Sequence, residues 1–272
     1  MSSFPYTVYL SPEQVIQETS SQTLPLGTRG VDEEGRSFRY TQNGAAALVA
    51  NRIVVSAAES PLSSATDIVF TAVYAAGATQ VKIGGEATAT DFGTAADDFR
   101  DGWLIVNSTD TTYNQRARIK SHLALASSTA LNSSNTLNLY PPGLPKLTAT
   151  STGMVKLIAN PYKKVIVFAG AALAVGKADG RGVGVPLFAV TASYYFWLQT
   201  WGPCLIRAGG GGGSVPADRA GQKAYLSTGD TGAYGGHSTW AITDTATAEY
   251  QSFLPHVGVI MTAAPAANFY SM

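Results

Sequence analysis

Charged residues are scarce in this chain of 272 residues. Asp, Glu, Lys and Arg together make up 13% of it, about half the share that is usual in soluble domains. The 18 basic and 18 acidic residues cancel to a formal net charge of zero. Since binding to nucleic acid requires Lys and Arg clustered against the phosphates, we expect no nucleic-acid partner.

Cysteine pairs, secretory signals and long apolar runs are missing as well. The one cysteine, Cys204, forms no disulfide within the chain, so an oxidising compartment is not implied. The opening residues, MSSFPYTVYL, lack a basic region followed by an apolar run, so we expect no secretory signal. No uninterrupted apolar stretch approaches the roughly 18 residues of a membrane-spanning helix. These absences predict synthesis in the cytoplasm and no membrane partner.

Apolar residues are plentiful, at 45% of the chain, and the place of the missing charge is taken by Ala, Ser, Thr and Gly. This amount of apolar side chain is enough for a substantial core. A neutral surface of small residues suits a protein that packs against copies of itself or against a partner. A weakly charged soluble monomer is the alternative interpretation.

The densest aromatic segment runs from Tyr194 to Trp201, YYFWLQTW, and predicts a β-strand. The two-residue period of a strand places Tyr195, Trp197, Gln199 and Trp201 on one face, and Tyr194, Phe196, Leu198 and Thr200 on the other. Both faces are apolar, so neither can simply face water. We therefore expect this strand inside a sandwich or barrel, or between subunits.

Short apolar segments separated by polar turns recur through the chain and predict an all-β fold of two small β-barrel or sandwich units. We divide the chain into residues 1–30, an N-terminal arm, residues 31–160, the first β-domain, and residues 161–272, the second. Ser11 and Gln14 form a capping box that predicts a short helix within the arm. The arm is either held by a neighbour or a frayed tail. Asn51 is predicted to adopt a left-handed conformation.

Most patterns that could carry chemistry fit structural roles better. The run Gly209–Gly213 is not followed by the Lys and Ser/Thr of a phosphate-binding loop, so a flexible or closely packed loop is expected. The histidines His122, His237 and His256 are not at metal-ligand spacing. Cys204 lies among apolar neighbours and is expected to be a buried, unreactive thiol rather than a nucleophile. We expect no cofactor and no metal.

Two groups of side chains leave alternatives open. Asp91, Asp97, Asp98 and Asp101 could serve acid–base catalysis or bind an ion, although Phe92 and Phe99 favour a capped helical turn that leads to Trp103. The basic residues Arg116, Arg118 and Lys120 alternate along a predicted strand. We interpret them as a solvated face.

The run LGTRGVDEEGRSFRYTQNGAAALVANRIV, from Leu26 to Val54, resembles a pattern found in head-decoration (cement) proteins of tailed phages. In that pattern a Leu-Gly-Thr start is followed by a turn, an arginine, an aromatic-x-Tyr strand and a segment of small residues. Asn51 stands where the pattern has glycine, and both residues tolerate the left-handed region. Further segments of the chain fit the same pattern: Asp101–Leu104, Asn160–Tyr162, Tyr195–Thr200 and His256–Gly258.

The resemblance implies a virion structural protein, not an enzyme, that binds the major capsid protein and itself, as a homotrimer on the capsid surface. The alternative within the virion is a tail or receptor-binding component that stacks aromatic side chains on glycans. The rival from another class is a glycan-active enzyme that uses the carboxylates of residues 91–101. The aromatic residues predicted to form the interface are Tyr194, Tyr195, Phe196, Trp197, Trp201, Phe4, Tyr6 and Tyr9.

Overall fold

The chain divides into two compact units in the computed structural model. The first unit comprises Met1–Phe4 and Glu59–Asn160, and the second comprises Pro5–Ala58 and Pro161–Met272. The structure describes these residues: 7–57, 68–85, 95–107, 114–124, 135–144, 154–167, 182–206, 223–226, 237–238, 256–263 and 268–271. The three consecutive segments expected from the sequence stay a prediction, although residue 160 ends the first unit.

The all-β prediction is confirmed, and the sole helical segment among the described residues is one 3₁₀ turn, Gln14–Ile16. The strands of the first unit are β6 (Ile68–Phe70), β7 (Gln80–Gly85), β8 (Trp103–Asn107), β9 (Asn114–His122), β10 (Asn135–Leu139) and β11 (Met154–Ile158). Those of the second unit are β1 (Thr7–Leu10), β2 (Glu18–Thr19), β3 (Arg29–Asp32), β4 (Ser37–Gln42), β5 (Val54–Val55), β12 (Ile166–Val167), β13 (Gly182–Gly184), β14 (Tyr195–Trp201), β15 (Pro203–Ile206), β16 (Lys223–Leu226), β17 (His237–Ser238), β18 (His256–Ala263) and β19 (Asn268–Ser271).

The first unit is a six-stranded barrel in which antiparallel strands pair in the order β10-β7-β6-β11-β8-β9, and β9 returns to β10. The shortest strand pairing in the barrel is between β11 and β6, which are joined by the single residue pair Met154–Val69. Alternate residues point inward, as the strand period requires. The buried interior is formed by Phe70, Val81, Ile83, Phe99, Leu104, Val106, Ala117, Ile119, Leu137, Leu139, Leu144, Val155 and Leu157.

The described strands of the second unit form three sheets. The main sheet has the strand order β1-β3-β4-β14-β2, and it places the aromatic strand β14 beside the hairpin formed by β3 and β4. The small sheet β12-β5-β13 and the sheet β15-β19-β18-β16-β17 complete the unit. The turn of the β3–β4 hairpin contains Gly35 at φ 81°, and Asn51 has φ 63°, which confirms its predicted left-handed conformation.

The N-terminal segment differs from the expected helix or arm. The predicted capping box forms, because the Ser11 amide donates to Oε1 of Gln14 at 2.9 Å and the Gln14 amide donates to Oγ of Ser11 at 3.4 Å. The helical segment nevertheless ends after one 3₁₀ turn, since too few apolar residues follow to stabilise a longer helix. On either side, β1 pairs in parallel with β3, and β2 pairs with β14.

Two glycines with positive φ meet at one end of the barrel. Gly143 has φ 78° and Gly77 has φ 84°. The turn that follows β10 packs against the turn that precedes β7. Two backbone hydrogen bonds join the turns: the Gly77 amide donates to the Leu144 carbonyl, and the Leu144 amide donates to the Ala78 carbonyl. A Cβ at position 143 would lie 2.2 Å from the Ala78 carbonyl oxygen, whereas a Cβ at position 77 would meet nothing within 4 Å.

The variants Gly143→Ala and Gly77→Ala distinguish two costs to stability. Both place an alanine at positive φ, but only Gly143→Ala also brings a methyl group against neighbouring backbone. Gly77→Ala should lower the free energy of unfolding by about 1 kcal/mol, the cost of a left-handed alanine. Gly143→Ala should lose a further ~1–3 kcal/mol, because backbone must move to admit the methyl group. Urea unfolding of both variants measures the difference. Equal losses would contradict the described packing of the two turns.

Candidate interaction surfaces

The aromatic strand β14 lies between two separate hydrophobic clusters. On one face, Trp197 packs in a cluster that we call the Trp197 core, formed by Leu10, Val15, Leu26, Phe38, Tyr40 and Trp197. On the other face, Phe196 packs in the Phe196 core, formed by Leu48, Val54, Val165, Val190, Phe196 and Leu198. The predicted division of this strand into two apolar faces is therefore correct for residues 194–198.

Four of the residues predicted to form an interface belong to these cores. The exposed fractions of Phe196 and Trp197 are 1% and 7%, so their side chains are not available to a partner. Tyr194 and Tyr195 are half-buried and pack against the Phe196 core and the Trp197 core respectively. Over residues 194–198, both faces of the strand are covered by its own chain, so this part of the strand has no apolar face left for a subunit contact. The interface role of Phe196 and Trp197 is corrected to a role in the core.

Trp201, at the end of the same strand, lies outside both cores. The pairing of β14 with β4 shifts between Gln199, opposite Phe38, and Trp201, opposite Ser37, so Thr200 forms a β-bulge. A bulge adds one residue to a strand and changes the face of every residue after it. Trp201 therefore leaves the face of Trp197, where the two-residue period had placed it, and is 59% exposed.

The buried amide of Gln199 fixes this bulge. Its Nε2 donates to the carbonyl oxygens of Pro203 at 2.9 Å and of Trp201 and Gly202 at 3.3 Å each. Gly202 has φ 99°, a conformation that L side chains rarely adopt, and so allows the chain to turn away immediately after Trp201. The exposed position of Trp201 is thus held by hydrogen bonds from inside the unit.

A row of paired residues connects Trp201 to the edge of the sheet. Trp201 pairs with Ser37, Ser37 with Val31, and Val31 with Tyr9 of the edge strand β1. Directly paired residues share a face of the sheet, and three strand spacings separate the ends of this row by about 14 Å. Tyr9 is 85% exposed. We call Tyr9, Val31, Ser37 and Trp201 the Tyr9–Trp201 row; the predicted interface residues Phe4 and Tyr6 lie outside the described residues.

Among the described acidic residues of the first unit, Asp101 has a structural role. Asp101 is fully buried, and its Oδ1 accepts a hydrogen bond from the Tyr140 hydroxyl at 2.9 Å and lies 3.9 Å from Nη2 of Arg118. Its backbone carbonyl accepts from Nδ2 of the buried Asn160 at 2.8 Å. A carboxylate in this position cannot reach a substrate. The catalytic hypothesis for Asp101 is therefore replaced by a structural role, and Asp91 lies outside the described residues.

Asp97 forms two hydrogen bonds with the backbone of His122, one through its side chain and one through its amide. Oδ1 of Asp97 accepts from the His122 amide at 2.8 Å, and the Asp97 amide donates to the His122 carbonyl at 3.0 Å. The imidazole Nε2 of His122 accepts from the buried Phe99 amide at 2.9 Å, so its Nδ1 carries the proton and donates to the Leu123 carbonyl at 2.7 Å. The residues between Ala95 and Gly102 thus form a turn that leads into β8. The helical conformation expected there is absent from these residues, since Asp97 and Asp101 have positive φ, and Phe92 lies outside the described residues.

Cys204 is buried in β15, which confirms the predicted buried thiol. Burial raises its pKa to about 12, only partly offset by the charge of Arg36, so the reactive thiolate is strongly disfavoured. His237 lies in β17 and His256 begins β18. Within the described ranges, no group of three or more His, Cys, Asp or Glu side chains is placed to hold a metal ion.

The comparisons with known proteins give no relative. No protein-family model, curated protein or solved structure matches the chain. The described part of the chain contains no helix that is both long and apolar enough to span a membrane. The resemblance to head-decoration proteins therefore stays a prediction.

Two tryptophans of one strand allow a matched test of this geometry. Trp197→Ala should lower the free energy of unfolding by about 3–5 kcal/mol, because it opens a cavity in the Trp197 core. Trp201→Ala should change it by less than about 1 kcal/mol, since the exposed ring contributes little to folding. Thermal or urea unfolding measures both. A loss at Trp201 as large as that at Trp197 would contradict the bulge.

The Asp101–Tyr140 contact predicts a specific loss of stability at alkaline pH. Burial, followed by the charge and the hydrogen bond of Asp101, raises the pKa of Tyr140 from 10.0 to about 12. Because the folded-state pKa exceeds the unfolded value, this contribution to stability is complete below pH 10 and is lost as the pH rises from 10 to about 12.

Over that range, the free energy of unfolding of the wild type should fall more steeply with pH than that of Tyr140→Phe. The difference between the two slopes should correspond to at most about one proton that the folded state binds and the unfolded state does not. Chemical unfolding at a series of alkaline pH values gives the slopes. Equal slopes for the wild type and Tyr140→Phe would show that the contact does not link folding to this proton.

Proposed function

We propose that this chain is a structural protein of a tailed-phage virion that decorates the capsid, stabilises the head and associates with itself as a homotrimer. The observation that carries the proposal is the Tyr9–Trp201 row, in which two large aromatic side chains are exposed on one sheet face. Exposed Trp and Tyr side chains are typical anchors of protein–protein contacts. The proposal assigns no catalytic step to the chain.

The side chains best suited to chemistry support binding over catalysis. Asp101 and Cys204 are buried, and His122 uses both ring nitrogens in hydrogen bonds to the backbone. A catalytic acid, base or nucleophile must reach the reacting atoms. These groups instead hold turns and strands in place, which supports a binding role over a catalytic one.

Decoration of this kind stabilises a shell through buried area and occupancy. Permanent protein–protein contacts commonly bury roughly 2,000 Å² or more. A protein that binds only the assembled shell stabilises it by mass action, by about 2.7 kcal/mol for each site when its free concentration is a hundred times the Kd. A chain with zero net charge and 13% charged residues can approach its own copies with little electrostatic repulsion.

The self-association is tested by light scattering coupled to size-exclusion chromatography. The wild type at micromolar concentration should have the mass of three chains, and Tyr9→Ser combined with Trp201→Ser should have the mass of one. The matched control is Val73→Ser combined with Leu123→Ser, which removes two exposed apolar side chains of the barrel unit. A monomeric wild type, or a double variant that keeps the wild-type mass, would contradict the proposed contact.

The place in the virion is tested by separating heads from tails of the source phage and identifying the chain by mass spectrometry. We expect it in the head fraction, and heads stripped of it should release DNA at a lower temperature. The exposed ring of Trp201 also fits the alternative, stacking on a sugar. Recovery of the chain with tails, together with glycan binding that Trp201→Ala abolishes, would favour a receptor-binding component over a decoration protein.

A further inference from the structure

The strands of the barrel carry charge of one sign only. Over their described ranges, β6 to β11 contain five basic residues and no Asp or Glu. The chain as a whole has equal numbers of acidic and basic residues, so its zero net charge conceals this local excess. The five basic residues are Lys82, Arg116, Arg118, Lys120 and Lys156.

Three adjacent strands bring most of these cations onto one outer face. Across β11, β8 and β9, Lys156 pairs with Ile105 and Ile105 with Arg116. In the neighbouring row, Ile158 pairs with Trp103 and Trp103 with Arg118. The residues that alternate with them, Leu104, Ala117 and Leu157, are buried in the barrel interior, so these two rows face outward.

Aromatic rings hold the two guanidinium groups in place. The Arg116 guanidinium carbon lies 5.4 Å from the centroid of the Trp103 ring, and that of Arg118 lies 5.8 Å from it. Arg118 is also 5.7 Å from the Tyr140 ring centroid and 3.9 Å from the buried Asp101 carboxylate. A guanidinium restrained in this way loses less conformational entropy when it binds a carboxylate. Arg116 and Lys156 remain exposed.

We propose that this face docks onto an acidic, partly apolar protein surface. We call it the barrel wall and define it as Trp103, Ile105, Arg116, Arg118, Lys156 and Ile158. The partner would place carboxylates against Arg116 and Lys156 and apolar side chains over the half-buried Ile105 and Ile158. This inference rests on the proposed function, under which the partner is the capsid shell.

The composition of the barrel wall favours a protein over a nucleic acid. The half-buried Ile105 lies between Lys156 and Arg116, and the half-buried Ile158 lies beside Trp103 in the next row. Apolar side chains next to charged ones are typical of a protein–protein interface. Single-stranded nucleic acid is bound along a basic groove by aromatic rings that stack on bases. The Trp103 ring is instead occupied by the guanidinium groups of Arg116 and Arg118, which lie where a base would stack.

The barrel wall is also a poor contact for its own copy. Two identical walls brought face to face, as in a two-fold contact, would set Arg116 and Lys156 against cations, and like charges destabilise an interface. We assign self-association and capsid binding to different surfaces. The Tyr9–Trp201 row serves the first, and the barrel wall serves the second.

The test is rebinding of the purified full-length chain to heads of the source phage that have been stripped of it. The wild type should bind, with an affinity that falls between about 50 and 200 mM salt. Arg116→Glu and Lys156→Glu should each weaken binding at low salt by about tenfold. Lys82→Glu is the matched control, because β7 lies across the ring of strands from β8 and the charge change is the same. It should bind as the wild type does.

The outcomes separate this inference from the proposed function. If the wild type and both wall variants rebind equally, the barrel wall is not the docking surface, although decoration still stands. If the wild type does not rebind at all, the proposed function and the inference fail together. A parallel titration with oligothymidylate and with poly-glutamate tests the partner class. Binding to oligothymidylate that Arg116→Glu abolishes, with none to poly-glutamate, would overturn the choice of an acidic protein.

Discussion

The second unit depends on one constraint, which is that β14 carries large apolar side chains on both faces. Phe196 and Leu198 on one face, and Trp197 on the other, must all be shielded from water. Other segments of the unit must therefore cover each face of the strand. The N-terminal segment and the β3–β4 hairpin provide one cover, and the segments around Leu48, Val165 and Val190 provide the other. Residues distant in sequence are joined through this strand, and only its end at Trp201 is exposed.

Much of this arrangement could be predicted from the sequence, because it follows from local periodicity and turn chemistry. The two faces of residues 194–198, the β3–β4 hairpin and the left-handed Asn51 are of this kind. The exposure of Trp201 could not be predicted, since it depends on a bulge that Gln199 fixes through carbonyls beyond the strand. The burial of Asp101 also depends on non-local partners, Tyr140 and Asn160, which no spacing along the chain reveals.

The two units offer different kinds of surface. The second exposes an aromatic row, in which Tyr9 and Trp201 can anchor an apolar contact. The first exposes a cationic wall, because its described strands contain no acid to balance Arg116 and Lys156. The alternating basic residues of β9 had been interpreted as an ordinary solvated face. Arg116 and Lys120 are exposed, in agreement with that interpretation. The pairing register adds Lys156 from β11 to the same face and places Trp103 beneath the two guanidinium groups, which is the basis for proposing it as a docking surface.

We propose that the chain is a component of the phage head and binds through these two surfaces. Cryo-electron microscopy of the source particle would show where the chain lies. We expect density for this chain on the outer surface of the head, with the barrel wall against acidic side chains of the capsid protein and the Tyr9–Trp201 row at contacts between copies. Density at the tail tip, or a particle without this chain, would refute the proposal.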